Sequence, residues 1–359
     1  MRAPISLGVL IACALTACSG AVDPSGDAST DASRADSGDV STDAGRDDAG
    51  PPPIVDAGTD AGPPRLGPPY PIVLCHGFFG FDDFAGAGFL SYFYGVRDDL
   101  AANGETNVFT PAVDPFNDST ARGEELIAHI EMILAMTGHE RVNLIGHSQG
   151  GLDARYVASH RPDLVASVTT FATPHRGSPI ADVVLGLVSD PRAQDLADAI
   201  VRVIGAPLYD AAGNETSVFA ALRQFSVDGS AAFNAATPDD PSVAYYSLSG
   251  RTDLSFGGSA CRTSGAPSFI SRYDTNLDPV DPLLDLSEQI VDGGLVSAIP
   301  NDGLVRVEDA QWGRFLGCVP ADHMDEVGQI GGDSPGFGNP FDHLALFRDL
   351  VTFLRSEGF

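Results

Sequence analysis

Five residues, Gly146-His147-Ser148-Gln149-Gly150, constrain this chain more than any other feature. They join residues 142–145, which read as a buried strand, to residues 150–160, which read as a helix stopped before Pro162. A G-x-S-x-G string is weak alone and strong at a strand-to-helix junction, where its small residues permit a sharp turn. Such a turn presents Ser148 at the carboxyl end of a sheet, and the N-terminus of the next helix stabilises negative charge beside it. Ser148 is therefore a candidate nucleophile.

The surrounding segments alternate in kind. Pro71–Cys75 is a continuous apolar run ending in His76-Gly77, as expected for a strand buried on both faces. A helix is expected over roughly residues 121–136, capped by Ser119, with Leu126, Ile130, Ile133 and Leu134 on one face and Gly138 as its stop. Residues 165–171 read as a strand and residues 344–354 as a C-terminal helix. This alternation predicts an α/β fold, a mostly parallel central sheet with helices on both faces. The folded domain is expected over residues 70–359, with no internal repeat.

What precedes it is of another kind. Residues 5–15 are apolar, too few to span a bilayer and suited to a signal segment. The run ends in Leu15-Thr16-Ala17-Cys18, which resembles the lipobox of bacterial lipoproteins, in which the cysteine is lipidated. The alternative is an ordinary secretory signal cleaved near Ala17. Either way residues 1–18 are a signal, and the protein is exported, as a secreted protein or a surface or outer-membrane lipoprotein. Residues 19–69 consist mainly of Asp, Ala, Gly, Ser, Thr and Pro; with so few large apolar side chains they cannot offset the entropy of ordering, and read as a disordered tether. The net charge of −29 argues against a nucleic-acid partner. Once Cys13 and Cys18 are assigned to the signal, Cys75, Cys261 and Cys318 remain. Cys75 sits in an apolar run and reads as a buried thiol, while Cys261 and Cys318, in polar Gly-rich stretches, are the candidate disulfide.

A serine hydroxyl needs a histidine to take its proton and a carboxylate to orient that histidine. In this strand–turn–helix setting both follow the serine along the chain, the acid before the histidine. His323, in a loop, and His343, at the head of the C-terminal helix, are placed late enough. Asp278, Asp281, Asp285, Asp292 and Asp302 are all candidate acids, and spacing does not choose among them.

The stretches YPIVLCHGFFGF (70–81), RGEELIAHIEMILAMTGHERVNLIGHSQGGLDARYVA (122–158) and RPDLVASVTTFATPHRGS (161–178) resemble the calcium-dependent bacterial true lipases of the Pseudomonas–Burkholderia type. So do NDGLV (301–305) and HMDEVGQ (323–329), and the likeness runs in order from about residue 70 to the C-terminus. The resemblance implies the α/β-hydrolase fold with a helical lid, hydrolysis of carboxylic esters through an acyl-enzyme, and triacylglycerols at an oil–water or membrane interface as substrate. It implies Asp302 as the catalytic acid and His323 as the base. It also implies the backbone N–H groups of Phe78 and Gln149 as oxyanion donors, Gln149 standing where many of these lipases have His. One structural Ca²⁺ is implied as well, with Asp278, Asp325, Gln329 and a carbonyl close to Asp333 as ligands. Several such lipases need a folding chaperone, which makes one a candidate partner.

Two departures stand out. The family's disulfide partner shortly after NDGLV is missing, with Glu308 near its place, and Cys261 falls in an insertion, residues 250–276, that most members lack. After Pro174-His175-Arg176-Gly177-Ser178, Leu196, Ile200, Val203 and Ile204 fall on one face of a helix expected near residues 193–204. In the lipases this chain resembles, that position carries the cover of the active site. An esterase or phospholipase is the nearest alternative, and a non-catalytic surface binding protein on the same fold a more distant one. An intact serine, acid and histidine set argues against the latter.

Overall fold

The computed structural model describes residues 64–78, 92–187, 215–252, 257–280, 284–292, 299–329, 335 and 338–359. All lie in a compact unit running from Ala61 to Phe359. The signal, most of the tether, Asp333 and the helix expected near residues 193–204 lie outside the described residues.

Among the described residues six strands form one sheet: β1 (Ile72–Cys75), β2 (Val108–Phe109), β3 (Val142–His147), β4 (Val165–Phe171), β5 (Ala244–Gly250) and β6 (Arg314–Val319). Their order is β2-β1-β3-β4-β5-β6, and every neighbouring pair is parallel. Parallel neighbours need crossovers, and the helices supply them. Those used below are α1 (Val96–Ala102), α2 (Ser119–Thr137), α3 (Gln149–His160), α4 (Pro179–Val184), α5 (Glu215–Phe225), α6 (Val227–Ala236) and α7 (Ser268–Ser271). After them come α8 (Asp285–Val291), α9 (Val307–Ala310) and α10 (His343–Glu357).

Strand side chains alternate between faces, so β1 sends Ile72 and Leu74 to one core and Val73 and Cys75 to the other. The first core is covered by Val96 and Leu100 of α1 and by Leu346, Phe347, Leu350, Val351 and Leu354 of α10. The second is covered by Leu126, Ile130, Ile133 and Leu134 of α2 and by Ala154, Val157 and Ala158 of α3. Each large apolar side chain so buried contributes roughly 1.5–3 kcal/mol. A polar residue in β3 is accommodated because Asn143 accepts a hydrogen bond from the Ser167 hydroxyl at 2.8 Å.

The helix expected over residues 121–136 begins two residues earlier, at Ser119. Its cap is Asp118, whose Oδ1 accepts from the N–H groups of Thr120 and Ala121 at 3.0 and 3.1 Å. Ser119 is the first helical residue, and its own N–H donates to Gln224 of α5. Gly138 closes the helix in the left-handed conformation at φ 74°. At the other end of the unit Arg355 of α10 donates to the carbonyls of Tyr70 and Phe359, both at 2.9 Å, and pairs with Glu105 at 2.8 Å.

Because the strands run the same way, their carboxyl ends lie along one edge of the sheet. There β1 gives way to His76–Phe78, β3 to Ser148, β5 to Arg251-Thr252 and β6 to the loop with His323. Open parallel sheets bind ligands at that edge.

Candidate active site

Ser148 sits between β3 and α3 at φ 55°, ψ −128°. For a residue with a Cβ this backbone costs of order 1–3 kcal/mol, and packing must hold it. Its N–H donates to the Phe171 carbonyl at 2.9 Å. The glycines around it are needed for close approach: a Cβ on Gly146 would stand 2.3 Å from the Gly150 carbonyl oxygen, and one on Gly150 would stand 2.0 Å from that of Cys75. Gly77 lies against the serine itself, since a Cβ there would come within 2.7 Å of the Ser148 Cβ.

The segment His76–Phe78 is thereby set beside Ser148. Arg122, a fully buried residue of α2, donates to the carbonyls of His76 at 2.6 Å and Asp114 at 2.8 Å, and its guanidinium pairs with Asp153 of α3 at 2.7 Å. With its carbonyls so engaged, the segment keeps one orientation. The Val113 N–H donates to His76 Nε2 at 3.1 Å, leaving Nδ1–H to donate to the Gly77 carbonyl at 2.9 Å. Burial, and then the Arg122 guanidinium, push the His76 imidazole down to about 3. Phe78 packs edge-on against Phe116 and Phe225. Gln149 is the first residue of α3, is buried, and donates its side-chain N–H to the Asn117 carbonyl at 2.7 Å.

His323 lies in the loop after β6, and its Nδ1 meets Asp302 Oδ2 at 2.8 Å. The other oxygen of Asp302, Oδ1, accepts from the N–H groups of Leu304 and Val305 at 2.9 and 2.6 Å, and the His323 N–H donates to the Asp302 carbonyl at 2.9 Å. Both residues are buried, and the carboxylate fixes the ring with Nε2 unencumbered by this pairing. The ring stands 4.5 Å, centroid to centroid, from that of His147, the residue before Ser148. His343 is elsewhere in kind: it heads α10, lies against Gly328, and donates from Nε2 to the Tyr94 carbonyl at 2.9 Å. Asp292 accepts from the Ile299 N–H. Asp285 begins α8, and Asp281 lies outside the described residues.

Three residues that sequence reasoning did not single out form a buried chain here. Tyr92 Oη meets His147 Nδ1 at 2.7 Å, and His147 Nε2 meets Glu326 Oε2 at 2.7 Å. Burial, and then the neighbouring His323, hold the His147 imidazole neutral. Burial, with Asp302 and Asp322 beside it, holds the Glu326 carboxyl well above the usual carboxylate range. No local pattern signals this chain, whose members are 55 and 179 residues apart along the sequence.

A second cluster lies behind the histidine loop. Asp278, Asp322 and Asp325 each offer a carboxylate oxygen, all within 4.8 Å of one another and all three residues buried. Three carboxylates gathered in low dielectric suit a hard cation, so the donor set fits calcium. Asp322 is an addition to the expected ligands; its Oδ1 accepts from the N–H groups of Met324 and Asp325, which orients the carboxylate. Gln329 is half-buried at the end of the same loop, its N–H donating to the Met324 carbonyl at 3.0 Å. On the other side Arg251 donates to the carbonyls of Tyr273 and Asn276, shaping the approach to Asp278.

The insertion is tied down covalently. Cys261 is bonded to Cys318 of β6 with a Cα–Cα distance of 5.3 Å, and Cys75 is a free, buried thiol. Glu308, near the place of the family's missing half-cystine, instead accepts a hydrogen bond from Arg176 on its carbonyl.

Residues 70–203 match a family model described as alpha/beta hydrolase fold. A triacylglycerol lipase of Vibrio cholerae serotype O1 is 36% identical over 300 residues, covering 80% of this chain and 88% of the relative. One from Burkholderia plantarii is 33% identical over 315 residues, covering 80% and 87%. The solved structure of lipase 1 from Pelosinus fermentans shares the fold, with a TM-score of 0.52 at 20% identity, over 79% of this chain and 98% of that one.

Proposed function

The chain belongs to the triacylglycerol lipase family within the α/β-hydrolase fold, and we propose that it hydrolyses acylglycerols with Ser148 as nucleophile, His323 as base and Asp302 as orienting acid. The observation that carries this reading is the strained Ser148 turn at the sheet edge where His323 and Asp302 pair at 2.8 Å. His323 Nε2 takes the hydroxyl proton as Ser148 Oγ attacks the ester carbonyl carbon. The N–H groups of Phe78 and Gln149 receive the developing oxyanion, each stabilising it by about 3 kcal/mol. His323 then protonates the departing alcohol, leaving an acyl-Ser148, and a water activated by the same nitrogen releases the fatty acid.

Asp278, Asp322 and Asp325, with Gln329, are the residues that would hold calcium, whose charge would offset theirs and brace the loop carrying His323. Export is supported by the Leu15–Cys18 string and by the disulfide; among the described residues no helix is long and apolar enough to cross a membrane. Lipidation of Cys18 is tested by feeding cells a clickable palmitate analogue. The parent chain takes up label and Cys18→Ser does not; an unlabelled parent leaves only the cleaved secretory signal.

Release of fatty acid from emulsified triacylglycerol tests the catalytic reading. Ser148→Ala and His323→Ala are expected to lose activity by about 10⁴-fold or more, and His343→Ala to keep it. Loss in His343→Ala with His323→Ala spared would transfer the base to His343.

A further inference from the structure

Beside the site, the mechanism above leaves a buried group of hydrogen-bonding side chains without a role. Tyr92, His147 and Glu326 are each at most 5% exposed. They form a continuous chain, with contacts of 2.7 Å on both sides of the imidazole. A buried polar chain is costly to build and rigid once built, because losing either of its two contacts strands a further buried polar atom.

The position of its ends gives this chain its meaning. At one end the Tyr92 hydroxyl lies against Gly77, where a Cβ would come within 2.3 Å of it, and hydrogen-bonds to the Gly77 backbone. Gly77 precedes Phe78, the proposed oxyanion donor. At the other end Glu326 belongs to the short 3-10 turn Asp325–Val327, three residues beyond His323. The same carboxylate packs on the end of β5, where a Cβ on Gly250 would stand 2.0 Å from its Oε1. In the middle, the His147 ring faces the His323 ring at 4.5 Å and is anchored next to Ser148 in the chain. Neutral imidazole has one N–H and one lone pair, so His147 can join one donor and one acceptor, and the chain has a place for each.

We propose that Tyr92, His147 and Glu326 are positioning residues, a buried strut that fixes the separation between the oxyanion segment after β1 and the loop carrying His323. This inference rests on the catalytic reading of Ser148 and His323 given above. The strut touches neither substrate nor reacting atoms. It acts by holding the two halves of the site, carried on separate loops, at the spacing that one tetrahedral intermediate requires. Displacements of about 1 Å in such groups lower rates by up to about a hundredfold.

The test uses the full chain and the variants Tyr92→Phe, Glu326→Leu and Glu326→Gln. It compares kcat and KM on a soluble short-chain ester, the rate at which a fluorophosphonate labels Ser148, and thermal stability. Tyr92→Phe and Glu326→Leu are expected to lower kcat and the labelling rate by about tenfold or more, with KM within about twofold. Glu326→Gln is expected to recover most of the loss, since an amide can both accept from and donate to His147. The strut is overturned if kcat and labelling stay within about twofold of the parent while only melting changes, or if Gln rescues no better than Leu. Should Glu326→Leu fail to fold, Tyr92→Phe, which removes a single hydroxyl, decides the matter alone. If Ser148 of the parent takes no label, the catalytic reading itself is refuted and the strut falls with it; in the strut's own failure the parent is labelled normally.

Discussion

His76 carries its imidazole in a place where a proton is unwelcome. Buried beside the Arg122 guanidinium, it is held neutral down to about 3 in the folded chain, whereas the unfolded chain protonates it near 6.5. Between those values the unfolded state binds more protons, so this residue's contribution to stability is full above about pH 6.5 and is lost as pH falls towards 3. Denaturant unfolding across that window should show stability declining with acid, and His76→Asn should flatten the decline by up to about one proton per chain. An identical slope in parent and variant would assign the decline to other groups. Legibility at this scale divides by range. The turn at Ser148 could be read directly, because its glycines and flanking segments are local. Spacing left five aspartates open, because what distinguishes Asp302 is a contact with His323 and two backbone N–H groups that only the fold supplies. The partnership of Tyr92, His147 and Glu326 has no local trace, and nothing local sets Asp322 apart from other loop acids.

At the scale of elements, β1, β3, β4, α2, α3 and α10 lie within three residues of the bounds read from the sequence, since buried parallel strands are near-continuous apolar runs, whereas β2, β5 and β6 were not marked. The cap of α2 was misplaced by one because Asp118 and Ser119 are both good cap residues, and the choice between them follows from backbone geometry: Asp118 is extended while Ser119 is already helical. The insertion carries a short helix that the sequence did not mark. Its helix α7 sets Ile270 against Gly317 of β6, where φ is 126° and a Cβ would come within 2.8 Å of the Ile270 side chain. The Cys261–Cys318 bond then closes a span of 57 residues that contains both Asp278 and Asp302. Chain-entropy arguments give such a loop about 4 kcal/mol. Cys261→Ser/Cys318→Ser should lose roughly that much in denaturant unfolding, and the parent in reductant should behave alike. A double variant as stable as the parent would show that packing of Ile270 alone secures the insertion.

For the whole molecule the dominant quantity is charge. With −29 over 359 residues, a cation bound among Asp278, Asp322 and Asp325 would relieve repulsion where three buried carboxylates are gathered. A ligand that binds only the native state stabilises it by about 2.7 kcal/mol at a hundredfold excess over its Kd. Chelator should therefore lower the melting temperature of the parent, calcium should restore it, and Asp325→Ala should be insensitive to both. Equal melting of the parent with and without chelator would dismiss the ion. The seam at Arg355 has a different consequence. One guanidinium holds the Tyr70 carbonyl that leads into β1 and the carbonyl of Phe359, so the approach to the first strand meets the turn that follows α10. A circular permutant joined across this seam and opened at an exposed turn such as Asn103-Gly104 would retain the same sheet order and the same two cores.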